Sequence, residues 1–409
     1  MKLEKCITET NVNQNMLNIK YAVRGPILER AIQIERELEK GVKKPFERVV
    51  RANIGDCHAL GQPPITFIRQ VLALAACPAL ASSPDVPDDV KQRVKELLED
   101  CTKGSVGSYS PSNGLNLVRR SVAEYLEARD GVAASLEDVY LGSGASDVIK
   151  AVLSLFVQDV DGKPPAVMIP IPQYPLFSGT LSELGLRQAN YYLDEDNDWA
   201  IQVQELERSW REASRQCHVR ALVVINPGNP TGQVLARENM EEIIKFAYDH
   251  ELFILADEVY QENIISKPFH SFKKMKPPAP GEASHAGFRR EAQAARRRLA
   301  ARARSAHRVF NSIPGLSCNA IDGAMFAFPR IEIPERAQVA AAEAGLQPDE
   351  FYCLRLLEET GVCVVPGSGF GQRPGSFHFR TTILHPRAEF QYMLESVRRF
   401  HAAFRQSYS

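Results

Sequence analysis

Between Asp138 and Ala256, short apolar runs alternate with stretches whose apolar residues recur every three to four positions. The short runs predict strands at Val139–Leu141, Ala166–Ile169, Arg220–Ile225 and Leu252–Ala256, and the longer ones predict helices at Ala145–Phe156, Leu176–Leu184 and Glu238–Tyr248. Repeated strand–helix units imply a largely parallel sheet covered by helices on both faces. Upstream, Gly25–Gly41 reads as a helix, with Pro26 suited to its first turn, Leu28, Ile32 and Leu38 on one stripe, and Gly41 as the stop. Arg51–Asp56 is a short extended piece entering a loop. Asn113 precedes an amphipathic helix carrying Leu115, Val118, Val122, Tyr125 and Leu126, with Gly131 beyond it.

After Ala256 the alternation stops. Lys276–Gly281 has the composition of a linker, and Ala286–Asn311 reads as one long helix. A smaller α+β region follows from Cys318, with strands near Met325–Phe328, Val362–Val365 and Phe377–Thr382 and a closing helix from Arg387 to Phe404. The expected organisation is an N-terminal arm and helix (1–50), a large domain (51–275), a linker and interdomain helix (276–311) and a C-terminal small domain (312–409). The long helix holds eight arginines between Arg289 and Arg308. Its Phe288, Ala292, Ala295, Leu299, Ala303, Ala306 and Phe310 form a packing stripe, so the arginines read as its solvated side and not as a nucleic-acid patch.

Composition narrows the class. The 409 residues are 44% hydrophobic and 24% charged with a formal net charge of −1, so no global field draws the chain to nucleic acid or an acidic membrane. The eight cysteines include no Cys-x-x-Cys pair, which predicts reduced, mostly buried thiols and no zinc site. No apolar run reaches the length of a membrane span. Met1–Lys20 contains Glu4 and Glu9 but no arginine, unlike a targeting presequence, so the cytoplasm is expected and a mitochondrial location stays open.

Five motifs carry chemistry. Gly142–Ser146 precedes a helix, where glycines let the backbone approach an anion and the helix start offers free N–H groups, or it is a plain tight turn. Asn226-Pro-Gly-Asn-Pro-Thr-Gly232 fixes an unusual turn after a buried strand and leaves Asn229 free to hydrogen-bond a ligand. Asp257 ends an apolar strand, where open α/β sheets bind ligands, although a helix-capping aspartate fits the same position. Tyr174 follows a strand and is either a core aromatic or a stacking surface for a flat heteroaromatic. Arg380 is a charge inside the apolar strand Phe377–Thr382, as carboxylate recognition or a structural ion pair requires.

With these motifs, and with stretches such as Tyr21–Pro26, Arg51–Asp56, Pro63–Leu74, Gly323–Arg330 and Leu356–Gln372, the chain resembles the class-I pyridoxal-phosphate-dependent aminotransferases along nearly its whole length. The resemblance implies an α/β large domain with a mostly parallel sheet plus a smaller α+β domain. It further implies pyridoxal 5'-phosphate as cofactor, a homodimer, and amino transfer from L-alanine to 2-oxoglutarate, yielding pyruvate and L-glutamate. By the same resemblance Ala145 and Ser146 would hold the cofactor phosphate and Tyr174 would stack on the ring. Asn229 and Tyr260 would meet the ring hydroxyl and Asp257 the ring nitrogen. Arg380 would bind the substrate carboxylate, and Tyr109 would reach the phosphate of a neighbouring subunit. The family's stretch after Phe269–Lys274 carries the Schiff-base lysine, and no such stretch follows here. Lys273 and Lys274 match lysines preceding it, and Lys267 is a loop residue. The expected consequences are an incomplete sheet and no catalytic lysine. A transaminase, a non-catalytic splice form or pseudoenzyme partnering an intact subunit, and a gene-assembly defect remain the three readings.

Overall fold

The computed structural model describes residues 6–17, 19, 25–274 and 286–409, and the side chains of 286–290 are not described. The chain divides into two compact units, one of Met1–Leu60, Lys150–Phe269 and Leu299–Ser409, the other of Gly61–Ile149 and His270–Arg298. The expected linker at Lys276–Gly281 lies outside the described residues.

Among the described residues the first unit has eleven short strands: β1 Val50–Arg51, β2 Pro165–Ile171, β3 Arg187–Tyr192, β4 His218–Ile225, β5 Phe253–Asp257, β6 Leu316–Ser317, β7 Phe326–Ala327, β8 Arg330–Ile331, β9 Val362–Cys363, β10 Val365–Pro366 and β11 Phe379–Thr382. The main sheet has the order β3-β2-β4-β5 and is parallel throughout. Its two central strands are near-continuous apolar runs, Ala166–Ile169 and Ala221–Ile225, because both of their faces are covered. β3, at one edge, alternates instead, with Ala189 and Tyr191 buried between exposed neighbours. The fully buried Tyr191 hydroxyl donates to the Val223 carbonyl (2.7 Å), which ties β3 to β4 across β2.

Helices Leu176–Leu184, Val203–Ser214 and Arg237–Asp249 connect these strands; the first and third match the predicted helices to within a few residues, whereas β3 and the helix Val203–Ser214 are not among the elements expected from the sequence. The C-terminal region packs Leu299, Ala303, Ala306 and Phe310 of the long helix against β11 and the closing helix Arg387–Ser407. The stripe expected on the arginine-bearing helix is buried at these four residues, and Ala292 and Ala295 are half-buried. The predicted strand Val362–Val365 is two strands. Val362–Cys363 pairs parallel with β1, and Val365–Pro366 pairs antiparallel with β11.

The second unit contains helices Thr66–Ala76, Asp88–Asp100 and Asn116–Asp130, the first two packed together through Leu74, Val90 and Val94. Here one expectation fails. Val139–Leu141 is not a strand: it follows a 3-10 turn at Leu136–Asp138, and Leu141 N–H donates to the Asn113 carbonyl instead of to a ladder. Apolar periodicity suits a strand there, but a strand forms only where a neighbour supplies hydrogen bonds.

All eight cysteines are free thiols. Cys101, Cys318, Cys353 and Cys363 are buried, Cys57 and Cys217 half-buried, and Cys6 and Cys77 exposed. No helix of the described residues is long and apolar enough to cross a membrane.

β5 lies at the edge of the main sheet opposite β3. Among the described residues this strand pairs only with β4 and forms the edge, and Phe253 is 53% exposed there beside exposed Leu155 and Val157. An apolar edge with unpaired N–H and C=O groups is a template for another strand. The purified chain is expected to self-associate with rising concentration, and Phe253→Lys should suppress this while costing no more than ~1 kcal/mol of stability. Light scattering against concentration checks it, and a monodisperse parent chain at high concentration would remove the argument.

Candidate active site

Asn229, Asp257, Tyr260 and Arg380 meet in the first unit, at the carboxyl ends of β4 and β5. The Asn226–Gly232 turn places Asn229 because its surroundings leave one path. Asn226 Oδ1 accepts from the Leu235 N–H (3.0 Å), and a Cβ on Gly228 would come within 1.8 Å of Gln233 Oε1. Asn229 is 5% exposed, its Oδ1 accepts from Arg380 Nη1 (3.1 Å), and its side chain is hydrogen-bonded to Tyr260.

Arg380 sits on β11, 2% exposed. Its guanidinium is clamped between two rings, with its carbon 4.1 Å from the Phe326 centroid and 4.7 Å from that of Phe370. Cation–π attraction strengthens when the cation is desolvated, as here. Nη2 donates to the Asn53 carbonyl (2.6 Å). Phe326 also meets Tyr260 edge-on, ring centroids 6.3 Å apart, and a Cβ on Gly55 would meet the Phe326 ring at 2.9 Å. Gly55 therefore lets this ring serve both Arg380 and Tyr260.

Among the described residues the Asp257 carboxylate accepts one hydrogen bond, from the Val259 N–H to Oδ1 (3.1 Å), and makes no ion pair. Burial raises its pKa, and the Val259 N–H opposes the rise only in part. Burial likewise pushes the Tyr260 phenol up to about 12, against the pull of the Arg380 charge and the Asn229 hydrogen bond. The Tyr174 phenol is close enough to act on Tyr260 in the same direction. The site thus holds a buried carboxyl group, a neutral phenol and a fixed guanidinium.

In the second unit, Ala145 and Ser146 begin the helix Ala145–Ser154 and are exposed, as are Gly142–Gly144. Gly144 has φ +137°, and the Ser143 N–H donates to Asp147 Oδ2 (3.1 Å), so the helix's own carboxylate meets part of the cup. Tyr109 is fully exposed, and its loop lines one cavity of about 360 Å3 together with Gly142 and Ser143. Asn53, Phe326 and Phe370 carry no site role in the sequence analysis. The apolar context of Arg380 was the available signal, since a buried guanidinium demands acceptors and ring faces from other segments.

The parallel sheet, the strand-end carboxyl and the buried arginine define a class, and the comparisons agree: the chain belongs to the class I and II aminotransferase family, whose model matches residues 72–275 and 263–397. It is 46% identical to alanine aminotransferase 1 of Homo sapiens over 478 positions, covering 99% of this chain and 96% of that protein. It is 37% identical to a probable mitochondrial alanine aminotransferase of Dictyostelium discoideum, covering 100% and 91%. Among solved structures, an Escherichia coli aminotransferase superposes with TM-score 0.71 at 22% identity, covering 99% of both chains. A Pyrococcus furiosus alanine aminotransferase superposes with TM-score 0.72 at 21% identity, covering 96% of this chain and 100% of its own.

The human alignment is longer than this chain, 478 positions against 409 residues, so the relative carries residues with no counterpart here. The two segments matched to the family overlap at residues 263–275.

The family uses pyridoxal 5'-phosphate, and the residues of the first unit fit its ring. Asp257 is a buried carboxyl lacking a cation, and Asn229 and Tyr260 offer hydrogen bonds beside it. They do not fit its covalent anchorage. Among the described residues no lysine makes a hydrogen bond or ion pair with Asn229, Asp257 or Tyr260, and Lys267 is spent on Asp322 (2.8 Å).

The raised pKa of Asp257 has a sign that stability measurements can read. Its contribution is fully present below the ordinary aspartate value and is lost as pH rises through the folded-state value. Asp257→Asn should therefore be more stable than the parent at pH 7, with the gap closing as pH falls through the aspartate range. Thermal midpoints at both ends of that range check this, and a variant less stable at pH 7 would contradict it.

Proposed function

We propose that this chain carries the recognition part of an alanine:2-oxoglutarate aminotransferase and needs a lysine-bearing stretch, absent after Phe269–Lys274, to turn over. The observations that support this reading are the buried Arg380–Asn229 pair and a human alignment of 478 positions against the 409 residues here. In this reading Arg380 binds the α-carboxylate of alanine or of the 2-oxo acid, its fork pre-set by Asn229 and Asn53. Clamping before the substrate arrives reduces the ordering cost of binding. Asp257 faces the nitrogen of the cofactor ring and holds a proton there. Bound in this way, pyridoxal phosphate supplies a conjugated ring that takes up electrons released at the substrate's α-carbon. Tyr260 and Asn229 keep the ring's hydroxyl oxygen in one orientation, and Tyr174 covers a face of the ring. Ala145 and Ser146 hold the phosphate, and Tyr109 reaches the phosphate of a second subunit in a cytosolic homodimer.

The missing role is that of the base. A lysine both fixes the cofactor and removes the α-proton, so losing it costs orders of magnitude in rate. Incubating the chain with pyridoxal phosphate, reducing with borohydride and mapping peptides by mass spectrometry should find no stoichiometrically labelled lysine and no pyruvate formed from alanine. One lysine labelled in full, with turnover, would mean that another residue substitutes and this reading fails.

With the relative's missing stretch restored, alanine turnover should return. In that repaired chain Asp257→Ala should lower kcat by ~10³-fold or more, while Arg380→Ala should act mainly through KM for alanine. Steady-state kinetics decides, and an Asp257→Ala enzyme with near-normal kcat would remove the ring assignment.

A further inference from the structure

Arg380 keeps one of its two ring faces only while the loop 367–372 stays in place, since Phe370 belongs to that loop. One buried side chain of the first unit ties the loop down. His378 directly precedes β11 and is 1% exposed. Its Nε2 lies 3.0 Å from Glu195 Oε1, and its Nδ1 lies 3.1 Å from Gln372 Oε1. The ring stacks on Phe328 with centroids 4.7 Å apart, and Phe328 meets the Phe370 ring edge-on at 5.9 Å. A Cβ on Gly367 would come within 2.5 Å of Gln372 Oε1 and 2.8 Å of His378 Cβ, so glycine lets the loop close over this pair.

Both atoms that face the ring nitrogens are acceptors. An ionised carboxylate has no proton to give. The Gln372 amide is oriented from its far end, where Nε2 donates to Asp349 Oδ2 (3.3 Å), an oxygen that also accepts from the Ser368 N–H (2.6 Å). The Gln372 oxygen is thus left to His378. Meeting both contacts takes two N–H groups, and an imidazole has two only when protonated. With a single proton, the N–H goes to the Glu195 carboxylate, the stronger acceptor. Nδ1 then turns a lone pair towards the Gln372 oxygen, and the loop loses that tie.

The ionisable surroundings are few. Arg330 Nη1 lies 3.6 Å from Glu195 Oε2. Burial raises the pKa of Asp349 against the pull of the Ser368 N–H, and burial pushes the Cys318 thiol, which lies near Glu195, up to about 12. Among the described residues no other side chain makes an ion pair with Glu195 or His378.

We propose that His378 is a positioning residue for the carboxylate site. Protonated on both nitrogens, it fastens Gln372, keeps Phe370 on Arg380 and tightens carboxylate binding; on losing one proton it releases the loop. The proposal rests on Arg380 as the carboxylate-binding group. Histidine is the side chain that ordinarily titrates near neutrality, so carboxylate affinity should fall between about pH 6 and about pH 8.5.

Propionate has no group of its own that titrates in this range, and saturation-transfer NMR on the purified full chain reads its binding. The parent should bind it ~5-fold more weakly at the higher pH, the effect of one lost hydrogen bond. His378→Asn keeps a donor where Nδ1 stands and has no proton to lose, so its affinity should not vary with pH. His378→Gln reaches Glu195 instead, and Gln372→Leu removes the acceptor; both should bind as weakly as the parent does at high pH, at either pH. Asp349→Asn should keep the parent's pH dependence. Hydrogen exchange across 367–372, corrected for intrinsic rate, should rise with pH in the parent and stay level in His378→Asn. Circular dichroism selects folded variants, and the two routes to the lost Gln372 contact keep the test intact if one of them unfolds. Equal affinity and equal loop protection at both pH values in the parent, or an undiminished pH dependence in His378→Asn, would overturn the proposal. If the parent binds no propionate, Arg380 is not the carboxylate site, and loop exchange alone decides the role of His378.

Discussion

The arrangement at the candidate site depends on the burial of one guanidinium. Arg380 carries its charge into an interior with almost no water, a placement that costs several kcal/mol unless acceptors and polarisable faces surround it. Its partners come from distant places in the chain: Asn53 after β1, Asn229 in the turn after β4, Phe326 on β7 and Phe370 in the loop after β10. Each of these segments is constrained by the requirement to meet the charge. The arginine is therefore a structural fastener in its own right, and removing it would leave acceptors and ring faces without their common partner.

Asp257 is the converse case. It is buried with little compensation, and the raised pKa measures that deficit. A site that binds a cationic ring nitrogen gains by leaving its carboxylate underpaired beforehand, since the ligand then supplies the missing interaction. The two buried groups thus differ: the Arg380 guanidinium is hydrogen-bonded at both terminal nitrogens and faced by two rings, whereas the Asp257 carboxyl has little compensation.

Much of this was legible in the sequence, and the reason is local. The Asn226–Gly232 turn, the apolar run before Asp257 and the charge within Phe377–Thr382 each force a conformation or a burial by themselves. The helix Leu176–Leu184 and the strand at Arg220–Ile225 follow from periodicity alone. What was not legible rests on long-range partners. Val139–Leu141 has strand composition but no ladder, and the break between β9 and β10 depends on which strands lie on either side of Val364. The ring clamp on Arg380 escaped notice because Phe326 and Phe370 look like any core phenylalanines until the guanidinium lies between them.

That break at Val364 bears on the order in which the molecule is assembled. Val50 finds its partner in Val362, and only three residues later Val365 pairs with Arg380. During synthesis the segment around Val50 leaves the ribosome early and waits for almost the entire chain before its ladder can close. Loop closure over such separations is slow, and domains tend to form from the N-terminus as they emerge. The four-stranded sheet has all of its strands available long before β9 appears. Its uncovered β5 edge is consequently exposed throughout the interval in which the rest of the unit is still unfinished, so chaperone demand should concentrate in translation, before the C-terminal strands have been made.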